Sequence, residues 1–146
     1  MATFLPSYCM ICDDVRIEVD GKEILIGVYP VGVSIPVLPW MGAACLRMTG
    51  YWSGEGELNF KVRVLNPANT LAGETTGTAH PIWQGFQSSI TLRGVAISFE
   101  MEGVYEIQFS PDDGPWQSIL KFPVYMLGLR PSFHCGILRY FGAPLF

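Results

Sequence analysis

The sequence predicts an all-β protein: a single antiparallel β-sandwich of immunoglobulin-like general architecture, with a small β-barrel as the alternative. Three observations support this prediction. Short segments alternate apolar and polar residues with the period of two that a half-buried strand requires, as residues 57–65 do. Turn-forming residues separate these segments at short intervals. No segment of useful length spaces its apolar residues as an amphipathic helix does.

Residues 12–37 are the stretch around which the chain is organised. Val15, Ile17 and Val19 alternate with charged residues, which predicts a strand. Asp20-Gly21 then predicts a two-residue hairpin turn with Gly21 at positive φ. The returning strand is apolar on both faces, so it is either central in the sandwich or covered by something outside the fold. Its candidate interface residues are Ile24, Ile26, Val28 and Tyr29.

The remaining strands are expected in chain order between clear turns. Residues 1–8 are expected to be a lead-in, and residues 70–88 a long loop with at most one edge strand. Gly103-Val104-Tyr105 resembles the entry to an immunoglobulin-like tyrosine corner. The predicted strands are at about 10–19, 23–31, 33–37, 43–53, 57–65, 89–101, 105–109 and 116–125.

Composition limits the possible partners. Charged residues are 15% of the chain, against about 25% in typical domains, so part of the apolar excess is expected in an interface; a well-filled sandwich is the alternative. The net charge of −4 and the lack of any Lys/Arg cluster argue against a nucleic-acid partner. Residues 24–46 carry no charge, but their prolines and glycines exclude a membrane-spanning helix.

The N-terminal segment lacks the basic and long apolar regions of a secretory signal, so cytoplasmic synthesis is expected, with cysteines as thiols. Cys9 and Cys12 form a C-x-x-C that, with Cys45, His134 and Cys135, suggests zinc. Residues three apart on a strand point to opposite faces, however, so we expect neither a metal nor a cofactor. A calcium rim formed by Asp13-Asp14 and Asp112-Asp113 is a weaker alternative.

No catalytic set is evident, since the chain lacks G-x-S-x-G and has only two histidines. The protein is therefore expected not to be an enzyme. Four tryptophans near predicted strand ends offer a platform for stacking sugars, or else they cap the open ends of the sandwich. They are Trp40, Trp52, Trp83 and Trp116.

The last residues differ from the rest, which divides the chain into a domain at 1–128 and a segment at 129–146. The segment holds two arginines and no acid. It is interpreted either as a final edge strand or as an arm that docks on a neighbouring subunit. Its candidate interface residues are Phe133, Tyr140, Phe141 and Phe146.

The run Cys12-Asp13-Asp14-Val15-Arg16, then Gly21-Lys22, then Leu25-Ile26-Gly27-Val28-Tyr29, resembles the beginning of a family of small bacterial and phage-associated proteins of unknown function. The resemblance covers about the first quarter of the chain. It implies a β-rich fold and a bacterial or phage origin. An assembly role for a protein of this origin would place it in a phage or phage-like particle. It carries over no catalytic residue, substrate or cofactor.

These observations together favour a non-enzymatic structural or assembly protein, a subunit of a bacterial or phage-derived oligomeric particle whose partner is a second copy or another protein. Two alternatives stay open. One is a carbohydrate-binding or other ligand-binding β-sandwich module that uses the tryptophans. The other is a small regulator or inhibitor that binds a different protein through the same apolar surface.

Overall fold

The computed structural model describes residues 1–80 and 85–127, and within these ranges the chain forms ten strands and no helix. The all-β fold predicted from the alternation of apolar and polar residues is therefore confirmed. The strands are β1 (Thr3–Cys12), β2 (Asp14–Ile17), β3 (Glu23–Ile26), β4 (Val33–Ile35), β5 (Trp40–Ser53), β6 (Leu58–Leu65), β7 (Leu71–Ala79), β8 (Gln87–Phe99), β9 (Gly103–Pro111) and β10 (Gln117–Met126).

The strands form two sheets and a separate two-stranded ribbon. The smaller sheet has the order β1-β5-β8, and the larger has the order β4-β10-β9-β6-β7. Strands β2 and β3 pair with each other outside both sheets. Every pairing is antiparallel except that of β4 with β10, which is parallel. This one pair was not foreseen, and it is possible because no hairpin joins β4 to β10.

Aromatic side chains from both sheets meet in the core. The ring centroid of Phe4 on β1 lies 4.9 Å from that of Trp52 on β5 and 5.9 Å from that of Phe109 on β9. Phe60 on β6 stacks on Phe109 at 5.7 Å. Because Phe4 belongs to the smaller sheet and Phe109 to the larger, the core lies between the sheets. Burial of each of these aromatic side chains stabilises the fold by about 2 kcal/mol.

The alternation in β6 is confirmed residue by residue, since Leu58, Phe60, Val62 and Val64 are all buried. Their side chains form the larger sheet's contribution to the core. The intervening residues point away from it, and Arg63 places its guanidinium carbon 4.1 Å from the centroid of Trp116. A strict period of two was therefore sufficient to orient this strand.

The turn between β8 and β9 contains a tyrosine corner. Tyr105 is fully buried, and its hydroxyl donates a hydrogen bond of 3.1 Å to the carbonyl of Met101, four residues earlier. The backbone N–H of Glu100 donates to the same hydroxyl at 3.2 Å. This geometry satisfies a buried hydroxyl while fixing the corner between consecutive strands. It matches the local arrangement predicted from Gly103-Val104-Tyr105.

Two segments expected to be irregular are strands. Residues 3–8 belong to β1, which pairs with β5 from Thr3 opposite Ser53 onward. A bulge between Pro6 and Tyr8 breaks the period of two, which hides the strand in the sequence. Strand β7 lies at the edge of the larger sheet. Ala72 is its only buried residue, so it had no apolar alternation to detect.

The hairpin of β2 and β3 differs from the prediction in its turn. The N–H of Glu18 donates to the carbonyl of Lys22 at 2.8 Å, and the N–H of Gly21 donates to the carbonyl of Glu18 at 2.9 Å. The loop therefore holds three residues rather than two, a tight turn followed by a left-handed residue. The expected positive φ of Gly21 is confirmed at 82°.

The position of β3 also corrects an expectation. It is not a central strand of the sandwich, because among the described residues it pairs with β2 alone. One face packs on the smaller sheet through Leu25, and the other faces outward with Ile24 exposed. Covering of the outward face by something outside the fold stays a prediction.

The uncharged residues 24–46 form no helix. They contribute to β3, β4 and β5 instead. Within residues 1–80 and 85–127, no helix has the length and apolar character needed to cross a membrane.

Candidate interaction site

A hydrogen-bonded cluster of Asp13, Gly27 and Tyr29, which we call the lock, lies at the base of the hairpin. The N–H of Asp13 donates to the carbonyl of Ile26 at 2.9 Å, and the N–H of Tyr29 donates to the carbonyl of Ile11 at 3.0 Å. The hydroxyl of Tyr29 donates to the Asp13 carboxylate at 2.6 Å. Gly27 has a φ of 63°, and a Cβ there would overlap the Asp13 side chain. Asp13, Gly27 and Tyr29, which are apart in the sequence, therefore contact one another at the base of the hairpin.

The lock changes the acidity of Tyr29. The hydrogen bond to the Asp13 carboxylate, with a smaller contribution from burial, raises the pKa of the Tyr29 phenol to about 12. A neutral phenol is the form that donates this bond, so the bond favours the protonated state.

A small second core holds the hairpin on the outer face of the smaller sheet. Cys12, Val15 and Cys45 are buried together, with Leu25 packed against them. Cys12 and Cys45 lie directly opposite each other on β1 and β5. This cluster is separate from the main core between the sheets, to which Cys9 belongs.

Two arginines of the smaller sheet bind the hairpin. The guanidinium of Arg47 on β5 pairs with the carboxylate of Glu23, and both side chains are largely buried, with 23% and 27% of their surface exposed. Arg93 on β8 donates to the backbone carbonyl of Val15. The sequence analysis missed both anchors. A signal was present for Arg47, the one charged residue in β5, because an isolated charge in a long apolar strand usually has a partner.

The outward face of the hairpin carries part of the predicted interface. Directly opposite residues share a face, so Ile24 and Ile26 lie opposite Arg16 and Asp14 on the side away from the sheet. Ile24 is 43% exposed and Ile26 is partly buried, while Val28, which follows β3, is 38% exposed. We call these three the hairpin patch.

Tyr29 was grouped with this interface, but the structure gives it a different place. Its ring packs against the main core, and its hydroxyl is engaged by Asp13. Because it is held by these contacts, it is not part of the hairpin patch.

A pocket lies between the two sheets, next to the lock. It has a volume of about 200 Å³ and is lined by side chains from β1, β4, β5, β8 and β10. Tyr29 lines this pocket and also binds Asp13, so it joins the pocket to the base of the hairpin. The lining also includes Ile35, Trp40, Phe99 and Phe122.

The predicted tryptophan platform is not assembled. Trp52 is buried in the core, 3% exposed, so it offers no face to a ligand. The guanidinium of Arg63 lies over the ring of Trp116, and Trp83 lies outside the described residues. Trp40 is 42% exposed and lines a pocket between the sheets. Three of the four positions are thus accounted for, and they do not form one surface.

The metal hypotheses find no support in the described residues. Cys9 and Cys12 belong to different clusters on the two faces of β1, as the strand spacing predicted. Burial raises the pKa of the Cys9 thiol to about 12. The pKa of Cys12 is also raised, by burial and then by neighbouring Cys45. Within residues 1–80 and 85–127, no three or more His, Cys, Asp or Glu side chains are grouped to hold a metal ion.

The aspartate pairs suggested for calcium have other partners. Asp13 accepts from Tyr29 and Asp14 pairs with Arg16. Asp112 accepts from the N–H of Asn59 at 3.1 Å, and Asp113 pairs with Lys61.

The proposed C-terminal interface cannot be placed. Phe133, Tyr140, Phe141 and Phe146, together with the rest of residues 129–146, lie outside the described residues. Leu127 directly follows β10. Its N–H donates to the carbonyl of Ile35 at 2.8 Å, beside the intersheet pocket.

Fold and site define the chain as a β-sandwich with a hairpin docked on the outside of one sheet and a pocket between the sheets. No family model matches this chain, and no curated protein matches it. The resemblance of its N-terminal motif to a phage-associated family therefore stays a prediction.

Proposed function

We propose that this protein is a non-enzymatic structural or assembly protein, a subunit of a bacterial or phage-derived particle, and that it binds a second copy of itself through the hairpin patch. The observation that carries the proposal is the position of the hairpin. It lies outside both sheets and presents Ile24 and Ile26 away from them, with the exposed Val28 just after β3. Apolar surface in this position gains stability when a partner removes it from water.

The backbone of the hairpin also supports self-association. Strand β3 has β2 on one side and no other strand among residues 1–80 and 85–127 on its second side. An open strand edge of this kind can add a strand from another chain. In a two-fold pair, β3 of one copy runs antiparallel to β3 of the other, so each hairpin patch meets its own equivalent.

Charge does not oppose such a pair. The hairpin carries the ion pairs Asp14–Arg16 and Asp20–Lys22, each within one copy. Together with Arg47–Glu23, these ion pairs balance three of the hairpin's carboxylates, so the like charge that two meeting hairpins bring is limited to Asp13 and Glu18.

Native mass spectrometry and light scattering over a range of concentrations test the proposal. The wild-type protein is expected to be an oligomer, and Ile24→Asp is expected to shift it to monomer because a buried carboxylate at the interface lacks a partner. The matched control is Val104→Asp, which alters an exposed valine on the larger sheet. The control is expected to stay oligomeric.

Two results would contradict the proposal. A wild-type protein that is monomeric at every concentration would instead favour binding to a different protein. An oligomer that survives Ile24→Asp would place the contact elsewhere. Circular dichroism of each variant establishes that the fold is retained.

The intersheet pocket favours ligand binding as a second candidate function. It encloses about 200 Å³ beside an exposed tryptophan, and concave apolar sites of this kind are where small ligands bind.

A further inference from the structure

Small residues near the start of β5 form one wall of the intersheet pocket. Gly42, Ala43 and Ala44, which follow Trp40 and Met41, line this wall. A Cβ at Gly42 would lie 3.3 Å from Nε1 of Trp40 and 3.4 Å from Cε2 of Phe99, so these two rings already pack closely against the glycine. A larger side chain at position 44 would take up part of the pocket volume.

Aromatic side chains dominate the remaining walls. Tyr29, Trp40, Phe99 and Phe122 all line the pocket, together with aliphatic side chains from β1 and β4. Aromatic rings attract a further ring in offset-stacked or edge-to-face contacts, which contribute about 0.5–1.5 kcal/mol beyond simple burial. An apolar cavity of about 150 Å³ accommodates benzene. A volume of about 200 Å³ is therefore enough for one substituted ring.

The polar atoms at the pocket are few. The Tyr29 hydroxyl is engaged by Asp13, which leaves the Ser34 hydroxyl and the Trp40 indole N–H as the side-chain polar groups of the lining. None of the lining residues within 1–80 and 85–127 is charged. A charged ligand would lose its hydration without gaining a counter-charge.

We propose that this pocket binds a small neutral molecule that has a single aromatic ring and one polar substituent. The ring lies beside Ala44, between Trp40 and Phe122. The polar substituent lies at the mouth, within reach of Ser34 or the Trp40 N–H. This ligand differs from the carbohydrate that the tryptophans suggested as an alternative, because a sugar needs several hydrogen-bond partners and the described side chains of this lining offer two.

Isothermal titration of the full-length protein with p-cresol tests the proposal. Saturable binding at one site per chain is expected. Ala44→Leu, which fills the pocket, is expected to weaken binding at least about tenfold. The matched control is Ala96→Leu on β8, an exposed position that does not line the pocket, and it is expected to bind as the wild type does. Glucose, at the same concentrations, is expected not to bind.

A second variant tests whether the pocket binds a free aromatic molecule or an aromatic side chain of residues 129–146. Replacing Phe133, Tyr140, Phe141 and Phe146 together by alanine removes every aromatic ring of residues 129–146. If p-cresol binds this variant but not the wild type, the pocket receives a ring of the chain itself, and the proposal of a free ligand is overturned. It is also overturned if neither protein binds p-cresol, or if Ala44→Leu binds as tightly as the wild type.

The ligand proposal does not depend on self-assembly. The titration repeated on Ile24→Asp separates the two, since that variant alters the hairpin patch and leaves every lining residue in place. Unchanged p-cresol binding by a monomeric Ile24→Asp protein is the expected result.

Discussion

The hydroxyl of Tyr29 donates a hydrogen bond of 2.6 Å to the carboxylate of Asp13, while the ring of the same tyrosine lines the intersheet pocket. Asp13 lies between β1 and β2, so its position depends on the hairpin. Tyr29 thus links the base of the hairpin to the wall of the pocket.

The Tyr29–Asp13 bond predicts a loss of stability at alkaline pH. The pKa of Tyr29 is raised from 10 to about 12 in the folded protein. Its contribution is therefore complete below pH 10 and is lost as the pH rises to about 12, since the unfolded chain releases the proton first. The free energy of unfolding of Tyr29→Phe should fall less steeply over this interval than that of the wild type, as urea titrations will measure.

The control for this prediction is Tyr51→Phe, which alters an exposed tyrosine on β5. It should show the same alkaline slope as the wild type. The raised pKa of Cys9 also contributes to the slope, but it is common to all three proteins and cancels in the comparison. Identical slopes for Tyr29→Phe and the wild type would contradict the role of the bond.

Gly27→Ala should destabilise the protein more than Gly21→Ala does. Both glycines have positive φ, at 63° and 82°, so each alanine introduces strain of about 1 kcal/mol. Gly21 has open space around it, whereas a Cβ at Gly27 would displace Asp13 and break its bond to Tyr29. This loss should add about 1 kcal/mol.

Thermal melts of both variants measure this difference, and Asp13→Ala provides the matched background. In that background the excess cost of Gly27→Ala should disappear, because the displaced carboxylate is already absent. Equal costs for the two glycines in the wild-type background would mean that Asp13 adapts without losing its bond.

The three described cysteines should resist alkylation in the folded protein. Cys9, Cys12 and Cys45 are buried, and burial raises the pKa of Cys9 and Cys12, so little of the reactive thiolate is present near neutral pH. In a Cys135→Ser background, peptide mass analysis should find these thiols unmodified by iodoacetamide until urea is added. Stoichiometric zinc in elemental analysis of the purified protein would contradict their assignment as structural thiols.

The elements that the sequence predicted well are those with undisturbed alternation. Strand β6 matches its prediction almost to the residue because Leu58, Phe60, Val62 and Val64 all face one core. Strand β1 was placed too late because the bulge at Pro6 and Tyr8 shifts the pattern by one residue. A local pattern cannot show such a shift, because the bulge is defined by the partner strand.

The site was only partly predictable for a related reason. The apolar hairpin was apparent from Ile24 and Ile26, but its position outside the sheets depends on Arg47 and Arg93, which are distant in sequence. The pocket depends on Gly42 facing Trp40 and Phe99. Glycine within a strand signals a close approach or an irregularity, yet only the fold shows what approaches it.

Arg47→Gln should loosen the hairpin without unfolding the sandwich. The ion pair with Glu23 is largely buried, and its loss should cost about 1 kcal/mol, since the carboxylate is left without its partner. Amide hydrogen exchange should therefore become about fivefold faster in residues 14–26 and stay unchanged in β9. The control is Lys61→Gln, which breaks the exposed pair with Asp113 on β6. Faster exchange throughout the protein would show that the hairpin is part of the cooperative core instead.

Deletion of residues 129–146 should leave a folded protein. The described residues of the core between the sheets come from Ala2, β1 and β4–β10. The shortened protein should therefore melt within a few degrees of the wild type, because no described core residue is removed.

Native mass spectrometry of the same shortened protein then reports on the predicted arm. If residues 129–146 dock on a neighbouring subunit, their four aromatic rings contribute several kcal/mol to the contact, and the assembly should dissociate into folded monomers. Dissociation after this deletion and after Ile24→Asp would indicate that the arm and the hairpin patch both contribute. An unfolded product would show that the segment completes its own subunit's core, and an intact oligomer would leave the hairpin patch as the sole contact.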